Sequence, residues 1–142
     1  MATFQDMGSA PASMASGKFS DSLGLLPEWK LTQADAVRAY TQALLKGTET
    51  WVRLPRDQWP KHWHSMKDPV CRLRLALYGH PDAGTCWEKH CEDRLKEVGF
   101  KPITNWPGCF VHKELQAFLT VYVDDFKVAS AEKHAEKNLE SH

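Results

Sequence analysis

Apolar residues change their period from stretch to stretch along this chain, and each change marks an element. Over residues 84–98, Trp87, Cys91, Leu95 and Val98 fall at helical spacing, while Glu88, Lys89, Glu92, Asp93 and Lys96 lie mostly off that line. This is the stripe of an amphipathic helix, and Gly99 supplies the residue that ends one in the left-handed conformation. Trp29 to Asp35 alternates instead and predicts a strand closing at Asp35. Val37 to Leu45 returns to helical spacing and stops near Gly47. Thr50 to Leu54 predicts a strand ended by Pro55, and the polar, aromatic stretch 56–69, with two prolines, predicts a long loop. Cys71 to Tyr78 alternates apolar with basic residues and suits either a strand or the entry to a helix.

The remaining segments are hairpins and flanks. Cys109–Lys113 and Ala117–Val123 read as antiparallel strands around residues 114–116, and a second hairpin turns at Asp124-Asp125 into Phe126–Ala129. Residues 11–23 predict a helix broken by Gly24 and Pro27, and residues 1–10 a loose N-terminus. Ser130 is placed to cap a final helix over 131–139. The expected fold is α+β, an antiparallel sheet with helices packed on one face, in one domain over 11–142.

Composition narrows the classes. A chain of 142 residues, 42% hydrophobic and 25% charged, has enough apolar surface for one modest core, which excludes wholesale disorder. Basic and acidic residues number 18 each, so the chain lacks the basic excess of a self-sufficient nucleic-acid binder. Nucleic-acid contact would have to come from a portion of the protein outside this sequence or from a local surface. Arg38, Arg53, Arg56, Lys61, Arg72 and Arg74 could form one, though solvated surface charge accounts for the same scatter. Cys71, Cys86, Cys91 and Cys109 contain no paired motif and read as reduced thiols. With no signal peptide and no apolar run of the roughly eighteen residues a membrane span takes, an intracellular protein, cytoplasmic or nuclear, is expected. Zinc held by Cys86, His90 or Cys91 with His62 or His64 is an alternative, but the ligand pairs of structural zinc sites are spaced differently.

The candidate chemistry sits in VYVDDFKVAS, residues 121–130. Two like charges interrupt the most strand-like run of the chain. A solvated turn explains an isolated pair of aspartates. Here apolar strands flank both sides, which gathers the carboxylates at the end of a buried element. Carboxylates that close raise each other's pKa unless a cation compensates, and a hard divalent ion with oxygen ligands, magnesium above all, is the natural compensator. Asp35, at the end of its own strand, is the candidate third carboxylate.

Four ordered blocks then resemble one family. Tyr122-Val123-Asp124-Asp125 resembles the YxDD signature of reverse transcriptases. Residues 71–100, CRLRLALYGHPDAGTCWEKHCEDRLKEVGF, are similar to the block of copia-type retrotransposon polymerases that reads L-x-x-A-L-Y-G-L-K-Q-x-P-R-x-W before a helix ending in G-F. Gln33 to Tyr40 resembles the first catalytic block, D-x-x-x-A-[FY], and Trp51 to Pro55 a short stretch ending in proline. The resemblance implies part of a right-hand polymerase palm and fingers, a copia-type RNA-directed DNA polymerase fragment stopping before the thumb.

By position it makes Asp35, Asp124 and Asp125 the catalytic, metal-binding carboxylates for two Mg2+ ions. It places Tyr40, Tyr122 and Asp82 at the nucleotide, Tyr40 as the ring that rejects a 2′-hydroxyl. An RNA or DNA template–primer and deoxynucleotides are the implied partners. Where the family has Leu-Lys-Gln and Pro-Arg, this chain has His80-Pro81-Asp82 and Gly84-Thr85, which weakens the expected grip on a triphosphate. The alternative is a catalytically silent remnant or interaction domain that keeps the palm fold, and whether the chain alone is an enzyme stays open.

Overall fold

The computed structural model describes residues 10–131. Helix α1 spans Met14–Gly24, strand β1 Trp29–Asp35, β2 Trp51–Val52, β3 Cys71–Arg72 and helix α2 Ala83–Glu97. Strands β4 (Lys101–Pro102), β5 (Cys109–His112), β6 (Ala117–Tyr122) and β7 (Asp125–Ala131) complete the chain. Five strands form one antiparallel sheet in the order β1-β7-β6-β5-β4, and β2 pairs with β3 in a small separate ribbon. The architecture is α+β with an antiparallel sheet.

The helices divide between the two faces of that sheet, where the sequence reading put them on one. Alternation along β6 sends Ala117, Leu119 and Val121 one way and Phe118 the other. The first set joins Trp87, Cys91 and Leu95 of α2 with Phe110, Phe126 and Val128 in the main core. Phe118 packs with Ala12 and Cys109 on the opposite face, edge-on to Phe19 of α1 at 5.1 Å between ring centroids. Both faces of β6 are buried, so the sheet needs a cover on each side.

Local chemistry sets the helix ends. The Ser13 hydroxyl accepts from the Ser16 N–H at 3.1 Å and caps α1. At the far end of α2, Gly99 takes φ +99. The Phe100 N–H bonds the Leu95 carbonyl at 2.9 Å and the Gly99 N–H that of Lys96 at 3.1 Å. That is the double bond of a Schellman cap, with Phe100 and Leu95 meeting in the core as its apolar contact.

Three other expectations change. The helix over 37–45 is only a 3-10 turn, Tyr40–Gln42. Arg38 has φ +52, and the 43–45 backbone bonds outward: Leu45 N–H to the Arg74 carbonyl at 2.9 Å, and Ala76 N–H to that of Ala43 at 2.9 Å. The strand over 50–54 shrinks to β2, and the 56–69 loop contains two 3-10 turns, Arg56–Gln58 and Lys61–Ser65. Ser130 does not cap a helix; it lies within β7, opposite Lys30 and Ala117, and residues 132–139 of the expected helix fall outside the described residues, as do residues 1–9.

Candidate functional site

The β6–β7 hairpin turns one residue earlier than its sequence suggests. Tyr122 pairs with Asp125, so Val123 and Asp124 form the loop. Val123 takes φ +54, a conformation that a two-residue hairpin needs and that a β-branched side chain adopts only under constraint. Two bonds supply the constraint. The Trp87 indole Nε1–H donates to the Val123 carbonyl, and the Ala36 N–H donates to the Asp124 carbonyl at 2.7 Å. The tip is thus fastened from α2 on one side and from the end of β1 on the other.

That arrangement aligns the acids. Asp35 pairs with Asp125 in the β1–β7 register, and Asp125 pairs with Tyr122 across β6. Directly opposed residues share a face, so Tyr122, Asp125 and Asp35 lie side by side on the face that α1 covers. They border a hollow of about 550 Å³ against the start of α1. Lys127, two residues along, reaches Asp21 of α1 at 2.8 Å across it. A side-chain hydrogen bond with Asp35 chiefly, then burial and the charges of Asp35 and Asp124, hold the Asp125 carboxyl above its ordinary value.

The Asp124 backbone is at the same place, but its charge acts to the other side as well. There the Tyr40 phenol is pushed up by burial first, then by Tyr78, Glu88 and Asp124. The rings of Tyr40 and Tyr78 are stacked 4.3 Å apart at 13°. Among the described residues, no three His, Cys, Asp or Glu side chains are grouped to hold a metal ion.

Asp82 is not brought out beside these groups. It is 3% exposed. Its N–H bonds the His80 ring at 3.1 Å, its carbonyl accepts from Cys86 N–H at 3.1 Å, and its carboxylate Oδ1 has no partner among the described residues.

Two residues carry more than the sequence assigned them. Trp87 was visible only as part of an apolar stripe, yet its N–H holds the acid-bearing turn. Glu88, one residue on, read as a polar residue off that stripe; burial raises its carboxyl, and the Ala10 N–H it accepts at 3.1 Å partly offsets that. Trp87 is the one side chain of that apolar stripe with an N–H to donate, and this is the signal that could have pointed here.

The candidate zinc ligands are dispersed. Cys91 packs in the main core and Cys86 in a second cluster with Ala43, Ala76 and Ala83. His62 and His64 lie on a 3-10 turn beside Trp63 and Trp59. Burial, with Glu88 and Glu92, pushes the Cys91 thiol up to about 12, which opposes the thiolate a metal needs. The basic surface is thinner than its count as well. Arg53 forks onto Asp68 with two bonds of 2.9 Å, and Arg72 lies 3.7 Å from Glu49. No helix among the described residues is long and apolar enough to cross a membrane.

The antiparallel sheet thus brings the acid-ended strand β1 beside the acid-bearing β6–β7 hairpin. The chain belongs to the reverse transcriptase (RNA-dependent DNA polymerase) family, whose sequence profile matches residues 2–141. No solved structure matches it.

Proposed function

We propose that this domain is the palm-bearing part of a copia-type RNA-directed DNA polymerase, with residues 11–142 forming partial palm and fingers. It would extend a DNA primer on an RNA or DNA template. The reading rests on one observation above others: Asp35 and Asp125, far apart in sequence, are paired in register across the β1–β7 ladder.

Asp35, Asp124 and Asp125 are the residues that would hold two magnesium ions. Their donors fit in kind, since all are carboxylate oxygens, the ligands magnesium prefers. The raised Asp125 carboxyl beside Asp35 is the mark of neighbouring carboxylates with no cation between them. Bound magnesium would lower the pKa of the primer hydroxyl and neutralise charge on the leaving phosphates. The chain's own contribution is to fix where the carboxylates stand. Trp87 and the Ala36 N–H hold the turn, and the β1–β7 register holds Asp35 against Asp125. Tyr40 would meet the incoming sugar and exclude a 2′-hydroxyl by ring bulk, and Tyr122 would line the approach on the α1 side. Asp82, buried, would shape the start of α2 instead of touching a triphosphate.

Primer extension on an RNA template with magnesium tests this. Incorporation by the wild type, abolished in Asp35→Asn and Asp124→Asn, is the expected result. Incorporation insensitive to either change, or none at all, overturns it. The second reading, a palm fold retained without catalysis, is favoured by the failure of the three carboxylates to converge into one metal-holding group among the described residues. Absence of incorporation by a folded chain would leave that reading standing.

A further inference from the structure

We infer that Tyr78 is a specificity-positioning residue: its ring backs Tyr40 and fixes the plane against which the nucleotide sugar is sorted. This rests on the Tyr40 reading above and extends it to a residue for which the resemblance implies no role.

The two rings are nearly parallel, at 13°, with centroids 4.3 Å apart. That is an offset stack, an orientation aromatic pairs favour beyond simple contact. Tyr40 also packs against both the main core and the Ala43–Ala76–Ala83–Cys86 cluster. Its ring is therefore held by the core on one side and by Tyr78 on another. Tyr78 itself is 52% exposed and adds little to the core.

The backbone fixes the pair's spacing. Leu44 bridges Leu75, Leu45 N–H bonds the Arg74 carbonyl at 2.9 Å, and Ala76 N–H bonds that of Ala43 at 2.9 Å. These clamps lie between Tyr40 and Tyr78 in the chain, so the two segments carry their rings into register together. A gate of this type discriminates by van der Waals contact, which fails over a fraction of an ångström. Without its backing ring, Tyr40 gains rotational freedom toward the half-exposed side and leaves room for an extra oxygen.

The test uses the full chain with ring-labelled tyrosine, whose three tyrosines give three resolvable ring signals. A dideoxy-terminated DNA primer on an RNA template, with magnesium, allows binding without turnover, and dCTP and CTP are titrated separately. In Tyr78→Leu, the preference for dCTP over CTP should fall by about tenfold, the ceiling for one aromatic stack, while Tyr78→Phe keeps it within about twofold. The Tyr40 signal should lose its ring-current shift in Tyr78→Leu alone. An unaltered Tyr122 signal reports that the variant is folded, and Tyr78→Gln serves in its place if Tyr78→Leu is not.

Full discrimination in a folded Tyr78→Leu or Tyr78→Gln chain overturns the inference. If Tyr40→Leu discriminates poorly in that same case, the gate itself survives. A wild type that binds both nucleotides equally, or neither, removes the Tyr40 reading and this inference with it.

Discussion

The indole N–H of Trp87 bonds to the carbonyl of Val123, the residue that turns the acid-bearing hairpin in a left-handed conformation. A helix residue thereby stabilises a backbone geometry that the strand residue would not choose. Replacing Trp87 with Phe keeps the aromatic packing against Phe126 but leaves that carbonyl without its donor. The expected cost is about 1–3 kcal/mol, read as a lower urea midpoint with an unchanged slope. An unaltered midpoint would show that the tip holds itself.

Asp125 gives a pH dependence with a definite sign. Its folded-state pKa is raised, by Asp35 first, so the native chain binds its proton more tightly than the unfolded chain does. The stability it contributes is present below the ordinary carboxylate range and is lost as pH rises through the raised value. Asp125→Asn should therefore stabilise the chain at pH 7 and flatten the midpoint's fall between acid and neutral pH. The site is exposed, so the effect should shrink in high salt. A variant less stable than wild type at pH 7 would contradict the repulsion.

The thiols should react very unequally. With its pKa near 12, Cys91 would be only about one part in ten thousand thiolate at pH 8. Burial also raises Cys109, and the buried Cys86 sulfur bonds both the N–H and the carbonyl of Lys46. Cys71 is the only half-buried thiol of the four. Aromatic disulfide reagents should modify one thiol quickly in the native chain, and Cys71→Ser should abolish that phase.

Gly108 and Gly17 should respond oppositely to alanine. At Gly108, φ is +69, and a Cβ would lie 2.5 Å from the Ala12 nitrogen and 2.7 Å from the Val121 carbonyl oxygen. Both are backbone atoms, so Gly108→Ala should cost more than about 2 kcal/mol. At Gly17, inside α1, a Cβ meets nothing within 4 Å, and Gly17→Ala should gain about 0.5–1 kcal/mol. Chemical denaturation of both variants decides it, and a tolerated Gly108→Ala would mean that the β4–β5 loop can move away from Ala12 and Val121.

The parts legible in the sequence were those dictated by local period. β1 ends at Asp35 because Trp29–Asp35 alternates, and α2 keeps its stripe because Trp87, Cys91 and Leu95 share one side. Gly99 ends that helix for a reason visible in a single residue. What escaped were outcomes of distant pairing. Residues 43–45 have helical spacing, yet they bond to residues 74–76, and no local pattern announces a partner thirty residues away. The two-residue β4 is only an edge ladder on β5. The allocation of α1 and α2 to different faces depends on Phe118 being as buried as Leu119, which a tally of apolar residues along β6 leaves undetermined. At the candidate site, the aspartates drew notice by their charge, whereas Trp87 and Tyr78 looked like ordinary aromatics because their roles arise only from what they touch.

The sheet order has a consequence for how this chain is made. β1 emerges early in synthesis, but its ladder partner β7 is the last strand of the described residues. Until that strand leaves the ribosome, Trp29–Asp35 presents unpaired amides and apolar side chains to whatever is nearby. Closure of the strand pair and the meeting of the two facing carboxylates are a single late event, so conditions that slow translation between them would prolong the aggregation-prone interval.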